Sequence, residues 1–349
     1  MILPRKGTAR LLLSILPALL FFGSGCSREK TASASETASP GPASAKAAPT
    51  PDKPVEAAGP KLHIDPARAW QYTREIVAIG PRWDGSNGQE RLGEYLHSKL
   101  KNDQVEEDPF IADTPAGRIA MRNIVAKFPG TKDGIIVLGS HIDTNYPLRK
   151  TSFVGANDGA CTTALLLAIA DQIRGKKLEG YSIWLAFLDG EESIPSATPG
   201  DMRWVSDQAL YGSSHLATKW KHDGTANKIK AFMLFDMIGD KDLDIQRDDV
   251  STPWLEDLIL QAAKELGYQS YFFGQTLNGL QDDHVPFARA GIPVADVIDI
   301  NYGYNGAYHH TTEDTLDKLS PKSLQIAGDV VLETIRLLNG GGGPQAAAR

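Results

Sequence analysis

Between residues 61 and 339 short apolar runs alternate with amphipathic stretches, and the alternation predicts strands separated by helices. Residues 65–79 have helical spacing, with Asp65 as N-cap and Pro66 at the first helical position. Gly80-Pro81-Arg82 breaks that helix, and residues 88–100 carry a second amphipathic pattern. Residues 117–128 and 134–139 read as strands, the latter short, apolar and β-branched. Helices are predicted at 160–173, 210–219, 253–266 and 316–338, and strands at 181–188, 231–235, 269–273 and 293–298. This order predicts one α/β domain, its sheet covered by helices on both faces. No internal repeat is visible.

The ends of the chain follow other rules. Residues 1–10 contain Arg5, Lys6 and Arg10, and residues 11–22 are almost uniformly apolar, which predicts a signal peptide over 1–25. Gly23-Ser24-Gly25-Cys26 resembles a bacterial lipobox, although Gly23 stands where Leu is usual. Cys26 is therefore expected to be lipidated, with simple secretion and an uncleaved anchor as alternatives. Residues 26–60 are rich in Ser, Ala and Pro and lack aromatics, a composition expected to form a disordered tether. The Gly-rich tail at 340–349 is expected to be disordered as well. Together these features predict an exported protein in the periplasm or cell envelope, meeting the membrane only through Cys26.

Composition narrows the chemistry. Hydrophobic residues at 42% and charged residues at 23% suit a globular domain. A net charge of −7 without a basic cluster argues against nucleic acid as a partner. The only cysteines, Cys26 and Cys161, exclude zinc sites of the Cys-x-x-Cys type, so any metal must be held by His, Asp and Glu.

The polar clusters fall just after predicted strands. Asp189-Gly190-Glu191-Glu192 follows an apolar run, where one carboxylate could hold a metal while its neighbour moves protons. Alone, such a pair is more often a solvated turn. In Ser140-His141-Ile142-Asp143, the His and Asp share one face of an extended segment, so Asp143 could orient the imidazole. Asp158, between Gly155 and Gly159, opens a predicted helix, where an N-cap role is the plainer alternative. Asp236 ends another strand, and His309-His310 precedes the closing helix. A shared position beyond the strands of one sheet is where α/β enzymes bind ligands. One or two imidazoles with several carboxylates suit zinc, singly or paired.

The order His-x-Asp, Asn-Asp-Gly-Ala, Asp-Gly-Glu-Glu, Asp-Met-Ile-Gly and His-Thr-x-Glu-Asp, running from about residue 79 to 319, resembles the zinc-dependent aminopeptidase family. Tyr211-Gly212-Ser213-Ser214-His215 and Gln281-Asp282-Asp283-His284 are more similar to its glutaminyl-peptide cyclotransferase branch. The resemblance implies a phosphorylase/hydrolase-like, three-layer α/β/α domain over 61–339 with a mixed, mostly parallel central sheet. It implies Asp158, Glu192 and His310 as ligands of one Zn2+, and Glu191 as acid/base. Asp236 and Asp282 become a hydrogen-bonded pair of acids near the substrate amine. In the aminopeptidase branch, two zincs would share Asp158, with His141 and Asp236 completing the second site.

The sequence departs from the cyclase pattern at the pocket. Cyclases carry Trp immediately before the ligand His, where His309 stands, and another soon after the Glu-Glu pair. Residues 193–207 are long enough to form a lid, from which Trp204 could substitute. Tyr302, Tyr304 and Tyr308 are other candidates for the wall. His284 reads as a hydrogen-bonding residue behind the site and Cys161 as a small buried hydrophobe. Three readings follow: cyclisation of N-terminal Gln, aminopeptidase hydrolysis, or a tethered binding module without activity. The first two take peptide or protein N-termini as substrate, and the oligomeric state is open in all three.

Overall fold

The computed structural model describes residues 61–195 and 204–340. The leader, Cys26, the tether, the tail beyond 340 and the 196–203 part of the expected lid lie outside these residues. Among the described residues no helix is long and apolar enough to cross a membrane.

Helix α1 (Pro66–Val77) starts where expected, because Asp65 accepts the backbone N–H of Ala67 and Arg68 and Pro66 needs no donor partner. Ser86 caps α2 (Asn87–Leu100) through the N–H of Gln89. The strands are β1 (Gln104–Thr114), β2 (Gly117–Phe128), β3 (Gly130–His141), β4 (Leu178–Leu188), β5 (Ile229–Asp236), β6 (Ile245–Asp248), β7 (Phe272–Leu277) and β8 (Val294–Ile298). The remaining helices are α3 (Thr162–Ile173), α4 (Tyr211–His222), α5 (Pro253–Leu266), α6 (His284–Arg289) and α7 (Pro321–Asn339).

Among the described residues the sheet has eight strands in the order β1-β2-β4-β3-β5-β8-β6-β7. Its centre, β4-β3-β5-β8, is parallel, while β1 to β2, β2 to β4 and β6 to β8 pair antiparallel. Side chains alternate between two cores with a period of two. Ile136, Leu138, Met233 and Phe235 face α1, α3, α5 and α7, whereas Val137, Phe232 and Leu234 face α4 and α6. The expected three-layer α/β/α domain is therefore the observed one.

Five elements differ from expectation, the shortest helix, α6, among them, since its six residues were not predicted as a helix. β1 carries Glu106, Glu107, Asp108 and Pro109, a polar run tolerated because β1 is an edge strand. Lys127 and Lys219 answer its acids. β6 has four residues and gave no periodic signal. The strand expected at 269–273 begins as a tight turn, Gln269–Tyr271, and continues to Leu277. The closing helix is interrupted: Leu316–Lys318 is a separate turn, and Ser320 caps α7 through the N–H of Lys322.

Because β4, β3, β5 and β8 are parallel, their carboxyl ends share one edge. β3 connects to β4 on one side, and β4 then returns across β3 to β5, so the loops diverge there. The strands pack closely at this end. A Cβ on Gly139 would lie 2.6 Å from Phe232 Cζ, and Phe232 stacks on Phe287 at 4.1 Å. Gly139→Val should therefore lower stability by about 1–3 kcal/mol through overpacking. A urea midpoint equal to wild type would show that the aromatic pair yields without cost.

Candidate active site

The acidic pair is shaped by backbone before it is shaped by charge. Gly190 takes a left-handed conformation (φ 72°) and turns the chain at the end of β4. Asp143 Oδ1 then accepts the N–H of Glu191 and Oδ2 that of Glu192, at 3.2 and 3.0 Å. The returning chain closes the turn, since Leu210 N–H donates to Glu191 O and Tyr211 N–H to Gly190 O. Position 212 must be glycine, because a Cβ there would stand 2.1 Å from the Asp189 carbonyl oxygen. The two glutamates are thereby separated. Glu192 is fully buried, with Oε1 3.2 Å from His310 Nε2 and Oε2 accepting from Asn145 Nδ2 at 2.8 Å. Glu191 instead lines an open cavity.

Asp158 is not an N-cap. It sits in the turn Ala156–Cys161, which precedes α3, with non-helical φ/ψ. Its N–H and that of Asn157 donate to the two oxygens of Asp314, itself held by Tyr302 Oη at 2.7 Å. So fixed, Asp158 lies between two imidazoles: Oδ1 is 3.2 Å from His141 Nε2 and Oδ2 3.4 Å from His310 Nε2. His141 Nε2 is also 3.4 Å from Asp236 Oδ1, and its Nδ1 is 3.6 Å from Asp143 Oδ1.

One converging group and the neighbour of another stand on strained backbone. His310 has φ 51°, and Met237, directly after Asp236, has φ 48°. Asn157 holds the second turn by donating to Met237 O and accepting from Gly239 N–H.

The centre is rich in acceptors and poor in donors. Among the described residues, His141 Nδ1 and Nε2, Asp158 Oδ2, Glu192 Oε1 and Asp236 Oδ1 are all buried without a hydrogen-bond partner. The guanidinium of Arg82, fully buried close by, donates among the described residues to the carbonyls of Gly80, Ile142, Val154 and Gly155. Burial opposes charge on His141 and His310, yet the carboxylates around them hold both pKa values up, that of His310 at about 9. Burial, then Asp282 and Glu192, pushes Glu191 well above the usual carboxylate range. Orphaned acceptors and imidazoles within reach of one another fit a bound cation, and an oxygen–nitrogen donor set without thiolate suits zinc. The donors of His141, Asp158 and Asp236 converge, as do those of Asp158, His309 and His310.

The cavity has a volume of about 410 Å³. Asp158, Glu191, Asp236, Asp282 and His310 line it on the polar side, and Trp204, Leu277, Leu280, Ile298 and Ile300 form its apolar wall. Trp204 and His309 thus stand where a substrate would lie, with the His309 ring 4.0 Å from that of His310. Tyr304 does not: it is 88% exposed and outside the lining. Tyr302 is buried against Asp314, and Tyr308 packs on Tyr302, so neither forms the wall. Asp236 and Asp282 are close enough for Asp236 to raise the Asp282 pKa, after burial. Yet among the described residues Asp236 Oδ1 and Asp282 Oδ2 have no hydrogen-bond partner, and Asp282 Oδ1 accepts the N–H of Asp283.

Sequence reasoning missed Asn145, Asp314 and Arg82, whose contacts are to backbone or to an already assigned acid. Only Asp314 had a signal, its place in the His-Thr-x-Glu-Asp run.

Fold and site together define an α/β enzyme with a buried imidazole–carboxylate centre at its strand ends. Residues 123–335 match the model of peptidase family M28. The chain belongs to that family. It is 30% identical to the glutaminyl-peptide cyclotransferase of Gloydius blomhoffii, over 77% of this chain and 82% of the relative. The glutaminyl cyclase of an Acidobacteriales bacterium superposes with a TM-score of 0.76 at 48% identity, covering 85% of this chain and 100% of the other. A Zn-dependent exopeptidase from Parabacteroides distasonis superposes with a TM-score of 0.70 at 26% identity, covering 79% and 99%.

Asp314 offers a test that leaves every candidate ligand in place. Asp314→Ala frees the two N–H groups that aim Asp158 and should weaken zinc binding about 10–100-fold. Chelator competition measures this, and an unchanged affinity would mean that the Asp158 turn is held by other contacts.

Proposed function

We propose that this protein is a glutaminyl-peptide cyclotransferase, closing the N-terminal Gln of a peptide or protein into pyroglutamate. The observation that carries the reading is the division of labour at the acidic pair. Glu192 turns to His310, while Glu191 opens on a cavity it shares with Asp236 and Asp282. The likeness to glutaminyl cyclases over most of the chain supports the same activity.

In this reading Asp158, Glu192 and His310 would hold one zinc. When bound, the metal supplies Lewis-acid polarisation of the γ-carboxamide oxygen. Asp236 and Asp282 accept hydrogen bonds from the substrate α-amine and aim it at the γ-carbon. The amine nitrogen bonds to that carbon, and the carbon–nitrogen bond of the carboxamide breaks. Glu191 takes the proton from the attacking amine and returns it to the departing ammonia. Burial and the neighbouring acids push its pKa up, and a cation on Glu192 would pull it back toward the usual range. The apolar wall keeps out water, which this reaction does not consume, and holds the Gln side chain folded against its own amine.

His141 supports a second reading. Its Nε2 lies between Asp158 and Asp236, a second donor set sharing Asp158, as a two-zinc aminopeptidase would require. A Gln-initiated and a Leu-initiated peptide separate the two readings by mass spectrometry. Loss of one ammonia from the first without shortening, at a zinc stoichiometry near one, is expected; free Leu from the second sinks the cyclase reading. Glu191→Gln should lower kcat about 10²–10⁴-fold with zinc retained. Wild-type turnover in that variant would refute the acid/base role.

The basic and apolar leader supports export to the periplasm or cell envelope with a lipid on Cys26. In a bacterial host, Cys26→Ser should abolish incorporation of labelled fatty acid; labelling that persists rules out that attachment point.

A further inference from the structure

The residue before the candidate ligand His310 brings a second imidazole into the cavity. His309 stands where cyclases carry Trp. Consecutive residues of an extended chain face opposite ways, yet His309 and His310 both line the cavity. Left-handed backbone at His310 (φ 51°) accompanies this, and the two ring centres lie 4.0 Å apart with their planes at 48°. The loop is closed by backbone, Tyr308 N–H donating to Tyr302 O at 3.3 Å and His309 N–H to Gly306 O at 3.2 Å.

That second imidazole meets the donors assigned to zinc. One ligand atom from each of Asp158, His309 and His310 lies within 4.8 Å of the other two. His310 Nε2 is 3.4 Å from Asp158 Oδ2 and 3.2 Å from Glu192 Oε1, so Asp158 and His310 belong to both donor sets. Among the described residues, Asp158 Oδ2 and Glu192 Oε1 are buried without a hydrogen-bond partner, and the His309 ring forms no hydrogen bond that would occupy its lone pair. A zinc held by two carboxylates and one imidazole keeps one tetrahedral position open. Tryptophan cannot fill it, because its only ring nitrogen is a hydrogen-bond donor, whereas a neutral imidazole has an acceptor nitrogen. A separate cation on Asp158, His309 and His310 fits less well, since it would share two of its three ligands with the zinc.

We propose that His309 is a fourth, exchangeable zinc ligand in the substrate-free enzyme, filling the position that the γ-carboxamide oxygen takes during cyclisation. The proposal rests on the one-zinc centre of the cyclase reading. Four protein donors close the centre in the manner of a structural zinc site until substrate arrives. Cyclisation then requires the His309 ring to give up that position and serve as wall, beside the cavity it already lines.

The test is read on the metal and needs no turnover. His309→Phe keeps a flat ring in the wall and removes the donor. Chelator competition should show zinc held at least about tenfold more weakly, since even the hydrogen-bond partners of metal ligands are worth about 10–100-fold. In the cobalt(II)-substituted protein without substrate, the visible bands should shift in the variant, because water replaces a nitrogen donor. His309→Ala should behave alike, and it serves alone should the phenylalanine variant not fold. Free imidazole should restore the wild-type bands in His309→Ala, a rescue that a merely structural role would not produce. Zinc affinity and cobalt bands equal to wild type in both variants overturn the proposal and leave His309 as wall alone. Two zincs per wild-type chain, falling to one in the variants, overturn it in favour of a separate site. A wild-type enzyme that shows the cobalt shift but leaves a Gln-initiated peptide unchanged overturns the cyclase reading instead.

Discussion

Negative charge is packed into the carboxyl edge of the parallel strands faster than the protein supplies positive charge to meet it. Asp143, Asp158, Glu191, Glu192, Asp236 and Asp282 are all buried there. Burying an unpaired carboxylate is prohibitive, so each must be protonated, hydrogen-bonded or neutralised by a cation. Asp143 is met by backbone N–H groups. Arg82 is close, but its donors are committed to carbonyls, so it lends only long-range charge. What remains is His141, His310, protons and whatever cation the centre binds. The site is an electrostatic debt that a bound cation would settle.

That constraint explains why so much local structure serves to hold acids still. Left-handed backbone at His310 and Met237 costs on the order of 1–3 kcal/mol at each non-glycine position. The Asn157 side chain bridges the Asp236 turn and the Asp158 turn, so one amide stiffens two sources of donors. Freely rotating carboxylates would relax toward water or toward one another's protons. Stiff ones remain an acceptor set.

Much of this was legible in the sequence, because a parallel α/β fold converts order along the chain into neighbourhood at one edge. Polar residues just after apolar runs had to meet once the runs formed adjacent parallel strands, and His141, Asp158, Glu191, Glu192, Asp236 and His310 do so. The residues that aim them were not legible. Asp314 and Asn145 act on a backbone turn and on an already assigned carboxylate, contacts that leave no periodic trace. The tyrosines misled for a related reason. Their spacing in a Gly-rich loop is compatible with facing the cavity or facing away, and Asp314 draws Tyr302 inward while Tyr304 is left in solvent. β1 went unseen because its edge position lets charged residues stand where an interior strand would carry apolar ones.

Ring closure and bond hydrolysis ask for nearly the same polar groups, so what separates them lies in the wall. Hydrolysis needs room for water beside the scissile bond and an exit for the shortened peptide. Cyclisation needs a short side chain turned back on its own amine with water displaced. The wall here is aliphatic from Leu277, Leu280, Ile298 and Ile300, with one indole from Trp204 and an imidazole, His309, directly before His310. Burial and the neighbouring His310 lower the His309 pKa to about 4, so near neutral pH it presents an uncharged ring. A neutral ring can pack against a folded glutamine much as a larger aromatic would, without adding charge to a centre already short of compensation. The departure from tryptophan at this position therefore changes the size of the wall more than its character, and a smaller ring leaves space that a bulkier or differently turned N-terminus could use.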